Sequence, residues 1–98
     1  MATSKAQKSK ADAVAELFSL VSSTTRVMIL TTLMKKKELP VQDIAEELGM
    51  THSAVSHQLG LLSSHDIVSS KKSGRLVHYR ISTGKEAKAL TAFLAKLA

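Results

Sequence analysis

Thr51, His52, Ser53, Ser56, His57 and Gln58 bring hydroxyl, imidazole and amide groups together within eight residues. Small groups that donate and accept hydrogen bonds can reach base-pair edges in a major groove, and a glutamine amide can contact adenine bidentately. A second set, Lys71, Lys72, Arg75 and Arg80, has no acidic residue between its first and last members. Positive charge held along a short segment suits phosphate oxygens. Both sets also have an ordinary explanation. A polar stripe is the solvated face of many amphipathic helices, and lysines along a strand blunt a sheet edge. The elements that carry the residues decide between these readings.

Val41, Ile44, Ala45 and Leu48 recur at helical spacing, and Gly49 follows them where a positive φ would end a helix. Pro40 stands where it can start that helix. Two residues beyond Gly49, Thr51 offers a side-chain oxygen to free backbone N–H groups, and Val55, Leu59 and Leu62 define a second apolar stripe. So short a connection predicts a helix-turn-helix in which Val55 and Leu59 pack on the first helix and the stripe of His52, Ser53, Ser56 and His57 turns outward. Ile67 to Lys72 and Leu76 to Ile81 then read as two strands joined through Ser73, Gly74 and Arg75. In the second strand Val77, Tyr79 and Ile81 alternate with Leu76, His78 and Arg80. A helix pair with a groove-sized polar face, followed at once by a cationic hairpin, favours duplex DNA as the partner.

Over about Ser22 to Ile81, and more loosely in both flanks, the chain resembles the ArsR/SmtB family of winged-helix repressors. The residues that carry the resemblance are Arg26 with Ile29, Leu30 and Leu33, then E-L-P-V-Q-D-I at Glu38 to Ile44, L-G-M-T-H-S-A-V-S-H-Q-L at Leu48 to Leu59, and G-R-L-V-H-Y-R-I at Gly74 to Ile81. The resemblance implies a homodimer on an inverted repeat, one recognition helix per half-site, with wings on flanking minor grooves or phosphates. The chain departs from the family pattern at Gln58, where histidine is usual, and at Asp66, where glycine usually precedes the hairpin. The first bears on base preference and the second on local turn geometry.

Charge points the same way. Fourteen Lys and Arg against 8 Asp and Glu give a formal charge of +6 over 98 residues, which favours a polyanionic partner without distinguishing DNA from RNA or an anionic membrane surface. Glu38, Asp43, Glu46 and Glu47 lie around the first helix of the pair, leaving wing and tail basic. With only Phe18, Tyr79 and Phe93 as aromatic residues, platforms for stacking unpaired bases are disfavoured. Length indicates a single domain with a modest core. Near its two ends lie apolar stripes, Val14, Leu17, Phe18 and Val21, and Leu90, Phe93, Leu94 and Leu97. They cover each other within one chain or, as the resemblance implies, pair across a twofold as the first and last helices of a dimer. Residues 1–9 are polar and lysine-bearing and are expected to form a disordered arm, with a single winged-helix domain over 10–98. No run approaches the roughly 20 apolar residues of a membrane span, and the opening segment lacks a signal-peptide core, so a cytoplasmic location is expected.

The family's members are often switched by metals or oxidants. Its arsenic and cadmium or lead sensors read E-L-C-V-C-D-L at the start of the motif, where this chain has Pro40 and Gln42, and the sequence holds no cysteine for thiolate ligation or disulfide switching. The family's other site uses aspartate, histidine and glutamate along the last helix, whereas residues 84–98 contain no histidine and, of acids, only Glu86. His52 and His57 miss the i, i+3 or i, i+4 spacing that puts two ligands on one helix face. His65 stands near the helix end and His78 on the outer hairpin face. No metal and no cofactor is therefore expected. A small organic ligand, a partner protein or no effector at all are the remaining options for a signal, and protonation of His52 or His57 in acid would strengthen phosphate contact. No Gly-rich phosphate loop, nucleophile elbow, cysteine nucleophile or paired carboxylates indicate an enzyme.

The expected fold is mainly α with a small β-hairpin: a winged helix-turn-helix of about five helices and a two-stranded wing. The expected function is a homodimeric, sequence-specific transcriptional repressor. Its recognition helix, about 51–64, would use Thr51, His52, Ser53, Ser56, His57 and Gln58 in the major groove, and its wing, about 67–81, would hold the backbone or minor groove through Lys71, Lys72 and Arg75. The alternatives are a DNA-binding module without sequence preference, architectural in role, or a protein-interaction module on the same fold.

Overall fold

A computed structural model describes residues 4–97. The chain runs α1 (Lys5–Ser19), α2 (Thr24–Lys36), β1 (Glu38–Pro40), α3 (Val41–Leu48), α4 (His52–Ser64), β2 (Val68–Ser73), β3 (Leu76–Ile81) and α5 (Lys85–Leu97). The five helices and the wing hairpin follow the sequence patterns. The third strand does not. β1 pairs antiparallel with β3, placing Leu39 opposite Tyr79 and giving the sheet order β1-β3-β2. Three residues are too few to show a period of two, and only the partner strand reveals that they are extended. Pro40 ends this strand and occupies the N-cap of α3, so the helix starts one residue later, at Val41. An edge strand tolerates a residue with no N–H to donate.

The core forms where the apolar stripes meet. Ile29, Leu30 and Leu33 of α2, Ile44 of α3 and Val55, Leu59 and Leu62 of α4 are all buried, joined by Ile67, Val68 and Leu90. Each such side chain removed from water stabilises the fold by about 1.5–3 kcal/mol, which fixes the stripe of α4 against α2 and α3 and leaves its other side free. The sheet packs Leu39, Tyr79 and Ile81 against the same cluster.

Two expectations about the ends are corrected. Residues 5–9 are not a disordered arm, because α1 begins at Lys5. Ser4 and Gln7 form a reciprocal capping box there, with Ser4 Oγ accepting from Gln7 N–H and Gln7 Oε1 from Ser4 N–H, both at 3.1 Å. Residues 1–3 of that expected arm lie outside the described residues. The apolar stripe of α5 also divides. Leu90 and Leu94 are 1% and 6% exposed and belong to the chain's own core, so they are not available to a partner. Leu17 and Val21 are half-buried against that core. Phe18 and Phe93 meet edge to face at 5.4 Å, joining α1 to α5 within one chain. Val14, Phe18, Phe93 and Leu97 nevertheless stay 54%, 45%, 39% and 70% exposed.

Candidate nucleic-acid interface

The turn that aims α4 is built from local hydrogen bonds. Gly49 takes φ 65° and ψ 34°, the left-handed conformation, and the Met50 N–H returns to the Ala45 carbonyl at 2.9 Å. This closure satisfies a carbonyl at the end of α3 and reverses the chain within two residues. Thr51 caps α4 from an extended backbone, its Oγ1 accepting from the Ala54 N–H at 3.1 Å. The cap uses a lone pair of Thr51 and leaves the hydroxyl proton free to donate. His52, Ser53 and His57 are exposed, and Ser56 is half-buried. His52 and Ser56 share a crevice with Gln42 of α3 and with Arg75, Val77 and Tyr79 of the wing. No local signal in the sequence marks the place of Gln42 beside α4.

The wing is tighter than the pattern indicated. Ser73 belongs to β2 opposite Leu76, so the loop is Gly74–Arg75 alone, with Gly74 at φ 63°. Positive φ at the first of two loop residues matches the twist of the strands it connects. Lys71, Lys72 and Arg75 are exposed at the tip, as is Arg80 further along β3. His78, half-buried, sits with Nδ1 3.5 Å from Glu38 Oε2, so an acid of β1 faces it. Asp66, just before the wing, adopts φ 58°, in the left-handed region that glycine favours.

Gln58 already has a partner within the chain. Its Oε1 accepts from Arg26 Nη1 at 3.0 Å, so the carbonyl half of a bidentate adenine contact is already engaged. A guanidinium has only donors, so the oxygen must be the amide atom that faces it. Two other polar links escaped the sequence analysis. Arg26 donates from Nε to the Leu20 carbonyl at 2.8 Å and from Nη2 to the Ser19 carbonyl at 3.3 Å. His65, the C-cap of α4, places Nδ1 3.0 Å from the Leu61 carbonyl and Nε2 3.0 Å from Glu16 Oε1. Its pKa is raised above the ordinary 6.5, first by the Leu61 carbonyl and then by Glu16, because only the imidazolium donates from both ring nitrogens at once. Arg26 and Gln58 are 32 residues apart in sequence and His65 and Glu16 are 49 apart, beyond the reach of any local pattern. Among the described residues, no three His, Asp or Glu side chains converge as metal ligands.

Residues 23–70 match the family described as bacterial regulatory protein, arsR family. The cadmium resistance transcriptional regulatory protein CadC of Listeria innocua is 33% identical over 84 residues, covering 86% of this chain and 71% of that protein. The chain belongs to the ArsR family. NmtR, an HTH-type transcriptional regulator of Mycobacterium tuberculosis, is 41% identical to this ArsR-family chain over 68 residues, 69% of it. The chain spans 56% of NmtR's length. Among solved structures, the homodimeric winged helix-turn-helix DNA-binding domain of a Mycobacterium bovis protein superposes with a TM-score of 0.80 at 28% identity, covering 99% of this chain and 89% of that one.

Proposed function

We propose that this ArsR-family chain is a transcriptional repressor that binds an inverted-repeat operator as a homodimer. In this reading α4 enters the major groove, where His52, Ser53, Ser56 and His57 meet base edges and Thr51 frames the helix start. Lys71, Lys72 and Arg75 hold phosphates or the minor groove beside it. The observation that carries the proposal is the division of α4 into two faces: Val55, Leu59 and Leu62 are fully buried, while Ser53 and His57 are exposed and His52 and Ser56 border a crevice shared with Arg75 of the cationic wing. A polar face serving only as a solvated surface has no need of that neighbour.

Dimerisation follows from the apolar surface left on α1 and α5, and the homodimeric Mycobacterium bovis domain supports it. A palindromic site needs two reading helices about 34 Å apart, which one copy of this chain does not provide. The cadmium-resistance regulator shows that a relative is named for a metal, but these 98 residues contain no cysteine. Soft-metal release through thiolates is therefore not the signal proposed here, which leaves an organic ligand, a partner protein or no effector at all.

Selection of bound fragments from genomic DNA by the purified protein tests the proposal. A recovered motif with twofold symmetry is the expected result. Equal retention of genomic and random fragments, with affinity set by salt alone, would show an architectural binder instead.

A further inference from the structure

No side chain of α1 is buried, yet this helix lies at the proposed dimer interface and its orientation fixes where the rest of the molecule sits relative to a twofold. A chain of polar contacts joins its end to α4. The Arg26 guanidinium, near the start of α2, meets the Leu20 and Ser19 carbonyls at the end of α1 and the Gln58 carbonyl on α4, one nitrogen to each. Carbonyls at a helix C-terminus have no partner within the helix and carry its negative end. A planar guanidinium that engages three oxygens at fixed angles cannot change one contact without disturbing the others. Gln58 lies one residue from buried Leu59 and one from exposed His57, on the flank of α4 rather than at the centre of its outward face.

We infer that Arg26 is a positioning residue that, through Gln58, sets the orientation of α4 against the dimerising helix and so fixes the half-site spacing at which the dimer binds. This rests on the dimeric operator-binding reading above. In a twofold dimer a change in the tilt of α4 relative to α1 is applied at both half-sites in opposite senses. A loosened link therefore alters which spacings can be bridged, while the groups that touch bases remain the same. Gln58 is in this account a specificity determinant for spacing, not for base identity.

The test measures affinity of the full chain for a panel of operators that share the selected half-site but differ in centre-to-centre spacing by one and two base pairs either way. Wild type should favour one spacing at least roughly fivefold over its neighbours, the low end of the penalty for a misplaced base contact. Gln58→Ala and Arg26→Lys should each flatten that preference to within about twofold, with base preference inside the half-site unchanged. Gln58→Glu keeps an oxygen for Arg26; it should bind all spacings more weakly through its charge but retain the wild-type preference among them. Circular dichroism confirms that each variant is folded. The inference is overturned if folded Gln58→Ala keeps the wild-type spacing profile, or if it loses discrimination at one base pair of the half-site. A wild-type protein that shows no preference for any operator over random DNA would instead remove the operator reading itself.

Discussion

Among the described residues, two without a glycine's freedom occupy positive φ: Lys37 at 70° after α2 and Asp66 at 58° before the wing. Such positions cost about 1–3 kcal/mol each, less for Asp, whose short polar side chain tolerates the left-handed region. Lys37→Gly and Asp66→Gly are expected to stabilise the fold, by about 1 kcal/mol for the first and less for the second once the greater freedom of glycine in the unfolded chain is counted. Urea denaturation should show both midpoints rise, in that order. His65 gives a pH-dependent counterpart. Its folded pKa is raised, so its contribution to stability is complete below its unfolded value of about 6.5 and is lost as pH rises through the folded value. The melting-temperature gap between wild type and His65→Leu should be widest near pH 5.5 and narrow toward pH 9. A gap that is constant, or that widens with pH, would mean that the contact with Glu16 is not an ion pair.

At the scale of elements, α4 and the wing divide the proposed work between base edges and backbone. That division is measurable because the two kinds of contact respond differently to salt and sequence. Lys72→Ala should weaken binding to all DNA sequences alike and lower the salt slope by about one, the signature of a lost phosphate contact. His57→Ala should cost about 1–3 kcal/mol on the best site and less elsewhere, with the slope nearly unchanged. If titrations at several salt concentrations gave the same pattern for both variants, the two elements would not have separate roles. The sheet also has a part. β1 covers β3 from His78 to Arg80, whereas β2 is a sheet edge, and that edge carries Lys71 and Lys72. Cationic side chains there suit contact with phosphate and also deter edge-to-edge aggregation.

For the whole molecule, the decisive feature is apolar surface left over after the chain has folded. α1 and α5 satisfy part of their stripes through each other, since Phe18 meets Phe93, and α5 gives Leu90 and Leu94 to the core. Val14 and Leu97 are the most exposed large apolar residues of the set, so replacing them disturbs the monomer least. Val14→Glu combined with Leu97→Glu should convert a dimer into a folded monomer in sedimentation velocity, with operator affinity falling by tenfold or more because one reading helix binds alone (about 1.4 kcal/mol per tenfold). A wild type that sediments as a monomer at micromolar concentration would remove the dimer from the account.

The helix-turn-helix was legible in the residues themselves because its determinants are local. Gly49 ends one helix, Thr51 begins the next, and Val55, Leu59 and Leu62 choose the buried face by their spacing. Gly74 marked the wing turn for the same reason. Tertiary structure alone decided the pairing of β1 with β3, the assignment of Leu90 and Leu94 to the core and the engagement of Gln58 by Arg26. Each of these depends on a partner far along the chain. A three-residue strand, an apolar stripe with two candidate neighbours and a lone arginine carry no signal about that partner until packing brings them together.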